Sequence, residues 1–266
     1  MPAFAAISPA QLARLIGTPE APLIIDVRLD DDFDRDPRLL PGAVRVPHQD
    51  VTRLGGRIGA RGAVVLCEGG RKLSEGAAAL LRTDGVSAEV LEGGWRAAVA
   101  AGLPCLPAQD RPARPSLWVT RQRPKIDRIA CPWLIRRFID PDARFLFVAA
   151  PEVTAVADRF GAIPFDVDGV RLSHRGDLCS FDALLDDFTL HTEPLDRMAR
   201  VIRAADTDRH DLAPQAAGLL ALSVGLSRQY RDDLAQLEAG MALYDALYRW
   251  ARDGYEEGHD WPQGRA

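Results

Sequence analysis

The chain has 266 residues, 47% of them hydrophobic and 27% charged, with a formal net charge of −5. That length predicts two domains of about 100–150 residues, each able to bury a core. The acidic balance argues against a surface that attracts nucleic acid or anionic lipid non-specifically. No apolar run approaches the roughly 20 residues needed to cross a bilayer. The opening MPAFAAISPAQLARLIG has no charged region followed by an apolar core and cleavage site, so a cytoplasmic protein engaging neither membrane nor nucleic acid is expected.

Ser8-Pro9 ahead of AQLARLIG reads as an N-capped helix. LIIDV (23–27) follows as a buried strand, AVRV (43–46) as a short one and AVVLC (63–67) as another. A helix is predicted over 74–82, a strand over 88–91, and a helix over 95–101 closed by Gly102. Strands and helices taking turns imply an α/β domain, a parallel sheet with helices on both faces. Reactive groups in such sheets gather at the C-terminal ends of the strands.

Cys67 stands at such an end, in CEGGRK. Gly69 and Gly70 let the loop curl with its amide N–H groups inward, and the following helix N-terminus adds partial positive charge. Glu68, Gly69 and Gly70 would line the pocket, while Arg71 and Lys72 would lower the thiol pKa or hold an anionic substrate. The alternative is a small buried hydrophobe ending a strand. The other cysteines, Cys105, Cys131 and Cys179, are scattered without a CxxC pair, and all four are expected to be free thiols.

AQDRPARPS (108–116) has two prolines, two arginines and no periodicity, as expected of a connector. It divides a domain over 1–108 from one over 117–266, with 109–116 as the linker. The second half opens with a strand over 117–120 and a helix over about 126–139, ended near Asp140-Pro141. A strand over 144–148, a helix over 152–160 and helices over 194–204, 213–226 and 232–250 make this half α+β and mainly helical.

Two chemistries compete there. Arg123, Lys125, Arg128 and Arg136, with Arg121 and Arg137, would surround an anion, or would form a solvated helix face. His174, Cys131 and Asp206 would instead hold a divalent metal. Cys179, His210 or Asp211, and Glu238 are further donors, although the spacing matches no known ligand motif. His48 and His259 look peripheral.

Ile25-Asp26-Val27-Arg28, Leu40-Pro41-Gly42-Ala43-Val44, the CEGGRK loop, Leu91-Glu92-Gly93-Gly94-Trp95 and Ala101-Gly102-Leu103-Pro104 resemble, in that order, the landmarks of a single-domain rhodanese. The resemblance covers about 8–107. It implies that Cys67 is a sulfur-accepting nucleophile forming a persulfide, that the loop amides cradle it, and that Arg71 or Lys72, with Arg28, attracts a small anionic sulfur donor. A thiol acceptor would take the sulfur on. Related phosphatase and arsenate-reductase members carry Arg six positions after the cysteine. That position here is Leu73, which favours sulfur chemistry.

Arg123 to Pro141 (RPKIDRIACPWLIRRFIDP), His174-Arg175-Gly176 with Cys179-Ser180-Phe181-Asp182, Ala205-Asp206-Thr207 and Leu212–Leu219 (LAPQAAGL) are similar to the C-terminal domain of the chromate-resistance ChrB family. This resemblance spans about 117–252 and implies a role in chromate stress. Two readings follow: a persulfide-forming sulfurtransferase fused to a chromate-resistance domain, or an oxyanion sensor or accessory protein with a degenerate first half.

Overall fold

The structure is a computed structural model that describes residues 5–258. His259 lies outside the described residues. In chain order the elements are β1 (Ala6–Ile7), α1 (Pro9–Leu15), β2 (Leu23–Asp26), α2 (Asp30–Arg35), β3 (Arg38–Leu39), β4 (Val44–Arg45), α3 (Gly55–Ile58), β5 (Ala63–Leu66), α4 (Lys72–Thr83), β6 (Ala88–Leu91), α5 (Gly94–Ala100) and β7 (Leu106–Pro107). They continue with β8 (Leu117–Arg121), α6 (Asp127–Leu134), β9 (Arg144–Val148), α7 (Val153–Phe160), β10 (Ile163–Pro164), α8 (Ser180–Phe188), α9 (Glu193–Asp206), α10 (Ala216–Gln229) and α11 (Asp233–Asp253).

The chain forms two compact units that alternate along the sequence. The first runs through Trp118 and also takes Leu134–Arg144 and Leu184–Leu190; the second takes Val119–Trp133, Phe145–Ala183 and the chain from His191. In the first, a five-stranded sheet has the order β1-β6-β5-β2-β4 with every pair parallel. Its central strands LIID and AVVL are buried at every position, as a sheet covered on both faces requires. Leu23, Ile25, Val65, Ala77, Ala78 and Leu81 pack into one core, which ties α4 to β2 and β5. Ser8 caps α1 with a capping box to Gln11. Helix α2, which the periodicity did not indicate, begins on three aspartates that suit the positive end of its dipole.

The segment Leu134–Arg144 is tied into this unit by backbone and charge. Gly42 donates its N–H to Phe138 O at 3.0 Å, and buried Asp140 accepts the N–H and hydroxyl of Ser116, both at 2.7 Å. After α6, residues Ile135–Ile139 continue as a wider π-helical turn, so the helix expected over about 126–139 is two helical forms in succession.

The second unit holds β10-β8-β9 and most of the helices. Helix α9 buries Leu195, Met198, Val201, Ile202 and Ala205 along one stripe. Helix α11 passes close to α6: a Cβ at Gly240 would lie 2.6 Å from Ile129 Cγ2, so only glycine allows this approach without displacing Ile129. No helix among the described residues is long and apolar enough to cross a membrane.

Candidate functional sites

Strand β5 delivers Cys67 to the C-terminal edge of the parallel sheet, and α4 begins five residues later. The loop between them is held on the first turn of α5. Trp95 N–H donates to Cys67 O at 2.9 Å and Arg96 N–H to Glu68 O at 3.3 Å. Gly70 takes a left-handed φ of 64°, and a Cβ there would sit 2.5 Å from Gly94 N and 2.6 Å from Leu91 O. No other residue fits that position without moving backbone. Gly94 is equally confined, against Cys67 O and Gly70 N.

The thiol is 6% exposed, and its Sγ lies 3.2 Å from Ser74 Oγ. Burial alone would push its pKa up. The Ser74 hydroxyl and the backbone of Arg71, Ser74 and Gly69 outweigh burial, and the net effect holds Cys67 below the ordinary thiol value. The other three cysteines go the opposite way: burial raises Cys105 to about 11 and puts Cys131 and Cys179 well above the usual range. Cys67 is therefore the one thiol of the four whose ionisation its surroundings favour. Arg71 and Lys72 are exposed and line a cleft of about 740 Å³ together with Gly70, Glu75, Arg82 and Glu92. Glu68 pairs with Arg96 at 2.8 Å.

Most of the other expected anion-binding cations have internal partners. Arg28 is 3% exposed; its Nε bonds both oxygens of Asp26, its terminal nitrogens reach Asp36 O and Arg38 O, and its plane lies 3.9 Å over Trp95. It is a bracket of the first unit's core. Arg123 donates to the carbonyls of Ser227 and Tyr230, satisfying groups at the C-terminal end of α10 that the helix leaves open. Arg128 donates to Gln122 O at 3.0 Å and pairs with Asp166 at 3.1 Å. Arg136 donates to Ala143 O in the first unit, and Lys125 is exposed. Arg123 and Arg128 are thus committed to carbonyls and to Asp166.

The second unit contains a different centre. His174 Nε2 lies 3.1 Å from Asp206 Oδ2, 3.4 Å from Asp127 Oδ2 and 3.6 Å from Asp166 Oδ1. Asp127 opens α6, Asp206 ends α9, and His174 sits between the bridge Phe165↔Leu172 and the tight pair Arg175↔Leu178. The segment leading to Asp127 is fixed by its neighbours: Ser223 Oγ accepts Ile126 N–H at 2.8 Å, while Tyr244 Oη donates to Ile126 O at 2.7 Å and Gln236 Nε2 to Pro124 O at 2.5 Å. Ile126 and Asp166 hold left-handed φ values of 43° and 50°, unusual for side-chain-bearing residues and costly unless surrounding contacts enforce them.

Asp166 is almost fully buried and compensated: it accepts Arg121 at 2.9 Å, Arg128 at 3.1 Å and the Ser180 hydroxyl at 3.0 Å. Hydrogen bonding to Asp127 raises His174 to about 9, against the burial that would lower it. Burial, then the charges of Asp127 and Asp166, raise Asp206 to about 7.

Of the expected metal donors, His174 and Asp206 thus meet and Cys131 does not join them. Cys131 is fully buried one helical turn beyond Asp127, and Asp127 is the third residue of the cluster with His174 and Asp206. Asp211 pairs with Arg209, His210 is near Asp208, and Glu238 is exposed on α11. Asp127 and Asp166 were not singled out from the sequence. The available signal was an aspartate four positions before Cys131 on the same helix face.

The fold and sites define a rhodanese-like α/β domain joined to a helical domain with a His–Asp centre. Residues 118–251 match the family model described as ChrB, C-terminal domain, and residues 8–101 match the Rhodanese-like domain model. The chain belongs to the family that carries the ChrB C-terminal domain. It is 39% identical over 132 residues to Protein ChrB of Cupriavidus metallidurans, a match covering 49% of this chain and 39% of that protein. The chain thus spans well under half the length of that relative. Among solved structures, a rhodanese-related protein from Thermoplasma volcanium is 21% identical, with 39% of this chain and 98% of that chain covered and a TM-score of 0.32. A thiosulfate sulfurtransferase from Pseudomonas aeruginosa is 29% identical, with 43% and 23% covered and a TM-score of 0.33.

Proposed function

We propose that the rhodanese-like part is a sulfurtransferase that carries sulfur as a Cys67 persulfide, in a protein acting in chromate or related oxyanion stress. The observation behind it is the environment of Cys67: at the C-terminal edge of a parallel sheet, within a glycine-constrained loop, it is the one cysteine whose thiol is held below its ordinary pKa. Membership of the ChrB-type family supports the oxyanion context.

In this reading the thiolate attacks the outer sulfur of a small anionic donor such as thiosulfate. A sulfur–sulfur bond forms on Cys67, the donor's own sulfur–sulfur bond breaks, and sulfite leaves with the electron pair. The backbone of Gly69, Arg71 and Ser74, which favours the thiolate, stabilises the persulfide anion in the same way. Arg71 and Lys72 on the adjoining cleft draw in the dianion. A thiolate acceptor then takes the outer sulfur and restores Cys67.

Oxyanion binding through Arg123, Lys125, Arg128 and Arg136 has less support, because Arg123 and Arg128 are committed to carbonyls and to Asp166. Thiocyanate production from thiosulfate and cyanide tests the proposal. Activity in the wild type that Cys67→Ser abolishes supports it; equal activity in both, or in neither, refutes it.

A further inference from the structure

We propose that Asp127, His174 and Asp206 form a divalent-cation site for a first-row transition metal of the manganese(II) or iron(II) kind. The proposal is independent of the sulfur chemistry of Cys67.

Geometry supplies the first argument. Ligands about 2.1 Å from a common ion stand roughly 3.0–3.4 Å apart in octahedral or tetrahedral arrangements. His174 Nε2 is 3.1 Å from Asp206 Oδ2 and 3.4 Å from Asp127 Oδ2, and one ligand atom from each of the three residues lies within 4.8 Å of the others. Three donors from α6, α9 and the hairpin between β10 and α8 thus converge around one point.

Charge supplies the second. Asp166 is answered by Arg121 and Arg128. Asp127 is 2% exposed and receives the Ser180 amide at 3.3 Å, and among the described residues His174 is the cationic side chain that pairs with both Asp127, at 3.4 Å, and Asp206, at 3.1 Å. Asp127 and Asp206 thus meet over one imidazole with no arginine between them, so an ion placed there gains two carboxylates that face it directly.

Helix position supplies the third. Asp206 is the last residue of α9, where the helix dipole disfavours an anion. A carboxylate set there breaks a local rule, and sites that break such rules tend to be functional. A cation between Asp206 and Asp127 removes the conflict.

The donor set selects the class of ion. An imidazole nitrogen disfavours calcium and magnesium, and the absence of a thiolate disfavours soft ions, since Cys131 and Cys179 are held protonated by burial. Two carboxylates and one imidazole suit manganese(II) or iron(II). The His174 side chain is 40% exposed, which gives an entry path and leaves positions open to water or substrate. Asp166 Oδ1, 3.6 Å from the same nitrogen, is a further carboxylate beside the cluster, already held by Arg121 and Arg128.

The test uses the full chain with Cys67→Ser, so that the reactive thiol takes up no metal. After chelator treatment the protein is titrated with manganese(II) and followed by electron paramagnetic resonance, with anaerobic iron(II) in parallel. Saturable uptake of one equivalent is expected. Asp206→Asn and His174→Gln, both partly exposed and so compatible with folding, should weaken it by more than the roughly ten- to hundredfold typical of a lost outer-shell partner. Asp211→Asn, at an exposed acid paired with Arg209, should leave it unchanged. Circular dichroism checks that each variant is folded. No saturable uptake of either ion, or uptake indifferent to Asp206→Asn and His174→Gln in folded protein, overturns the proposal.

Discussion

Replacing Ser74 with alanine probes how the loop sets the thiol. Ser74 Oγ lies 3.2 Å from Cys67 Sγ and also donates to Arg71 O at 2.9 Å, so in the neutral state the hydroxyl already has work. A hydrogen bond to a charged group contributes about 1.5–3 kcal/mol. The hydroxyl gives up its bond to Arg71 O in order to donate to the thiolate, which leaves a net preference near the low end, about 1.4 kcal/mol or about one pKa unit. The alanine variant should therefore raise the Cys67 pKa by about one unit. Below both pKa values its thiolate fraction falls about tenfold, and its alkylation slows in proportion. The assay is the rate of modification by iodoacetamide against pH, read by intact mass. Cys131 and Cys179 are fully buried and Cys105 is raised to about 11, so the first adduct at neutral pH reports Cys67. Identical pH profiles for the two proteins would show that Ser74 has no hold on the thiol.

Other sites give equally direct outcomes. Gly70→Ala forces a left-handed φ and a backbone clash near 2.5 Å; it should destabilise the first unit by at least about 1–3 kcal/mol, seen as a lower melting temperature, and a wild-type value would contradict the packing. Arg28→Ala leaves Asp26, 1% exposed, without its partner, and should cost about 3–5 kcal/mol in urea unfolding. Replacing both, as Asp26→Asn with Arg28→Met, should recover part of that loss; no recovery would mean that the pair is not the source. Arg123→Ala should lower the urea midpoint by releasing the end of α10 while leaving sulfur transfer intact, and a selective loss of oxyanion binding would restore the role the sequence suggested.

Where chemistry and chain order coincide, the sequence was readable. Strand, Cys67, two glycines and helix are contiguous, so the thiol's position at a sheet edge follows from local pattern. Arg28 shows the limit. The rhodanese resemblance placed it among the anion ligands, yet its fate is decided by Asp36 O and Arg38 O, in a stretch without a predicted element, and by Trp95, far along the chain. In the second unit, Asp127 and Cys131 share one helix face and are both buried, and only the approach of Asp127 to His174 and Asp206 assigns it to the centre. His174 and Asp206 were recognisable as ligand types, but their meeting depends on how a hairpin and the end of α9 converge. Asp166 was hidden for a related reason: its left-handed backbone, set by the bond from its N–H to Leu172 O, turns it toward Arg121 and Arg128.

The central claim is that Cys67 carries sulfur, and intact mass before and after thiosulfate tests it most directly, with Cys67→Ser measured beside the wild type. The account predicts that the wild type alone gains the mass of one sulfur atom and loses it again on adding cyanide. No gain in the wild type, or the same gain in the variant, would contradict it.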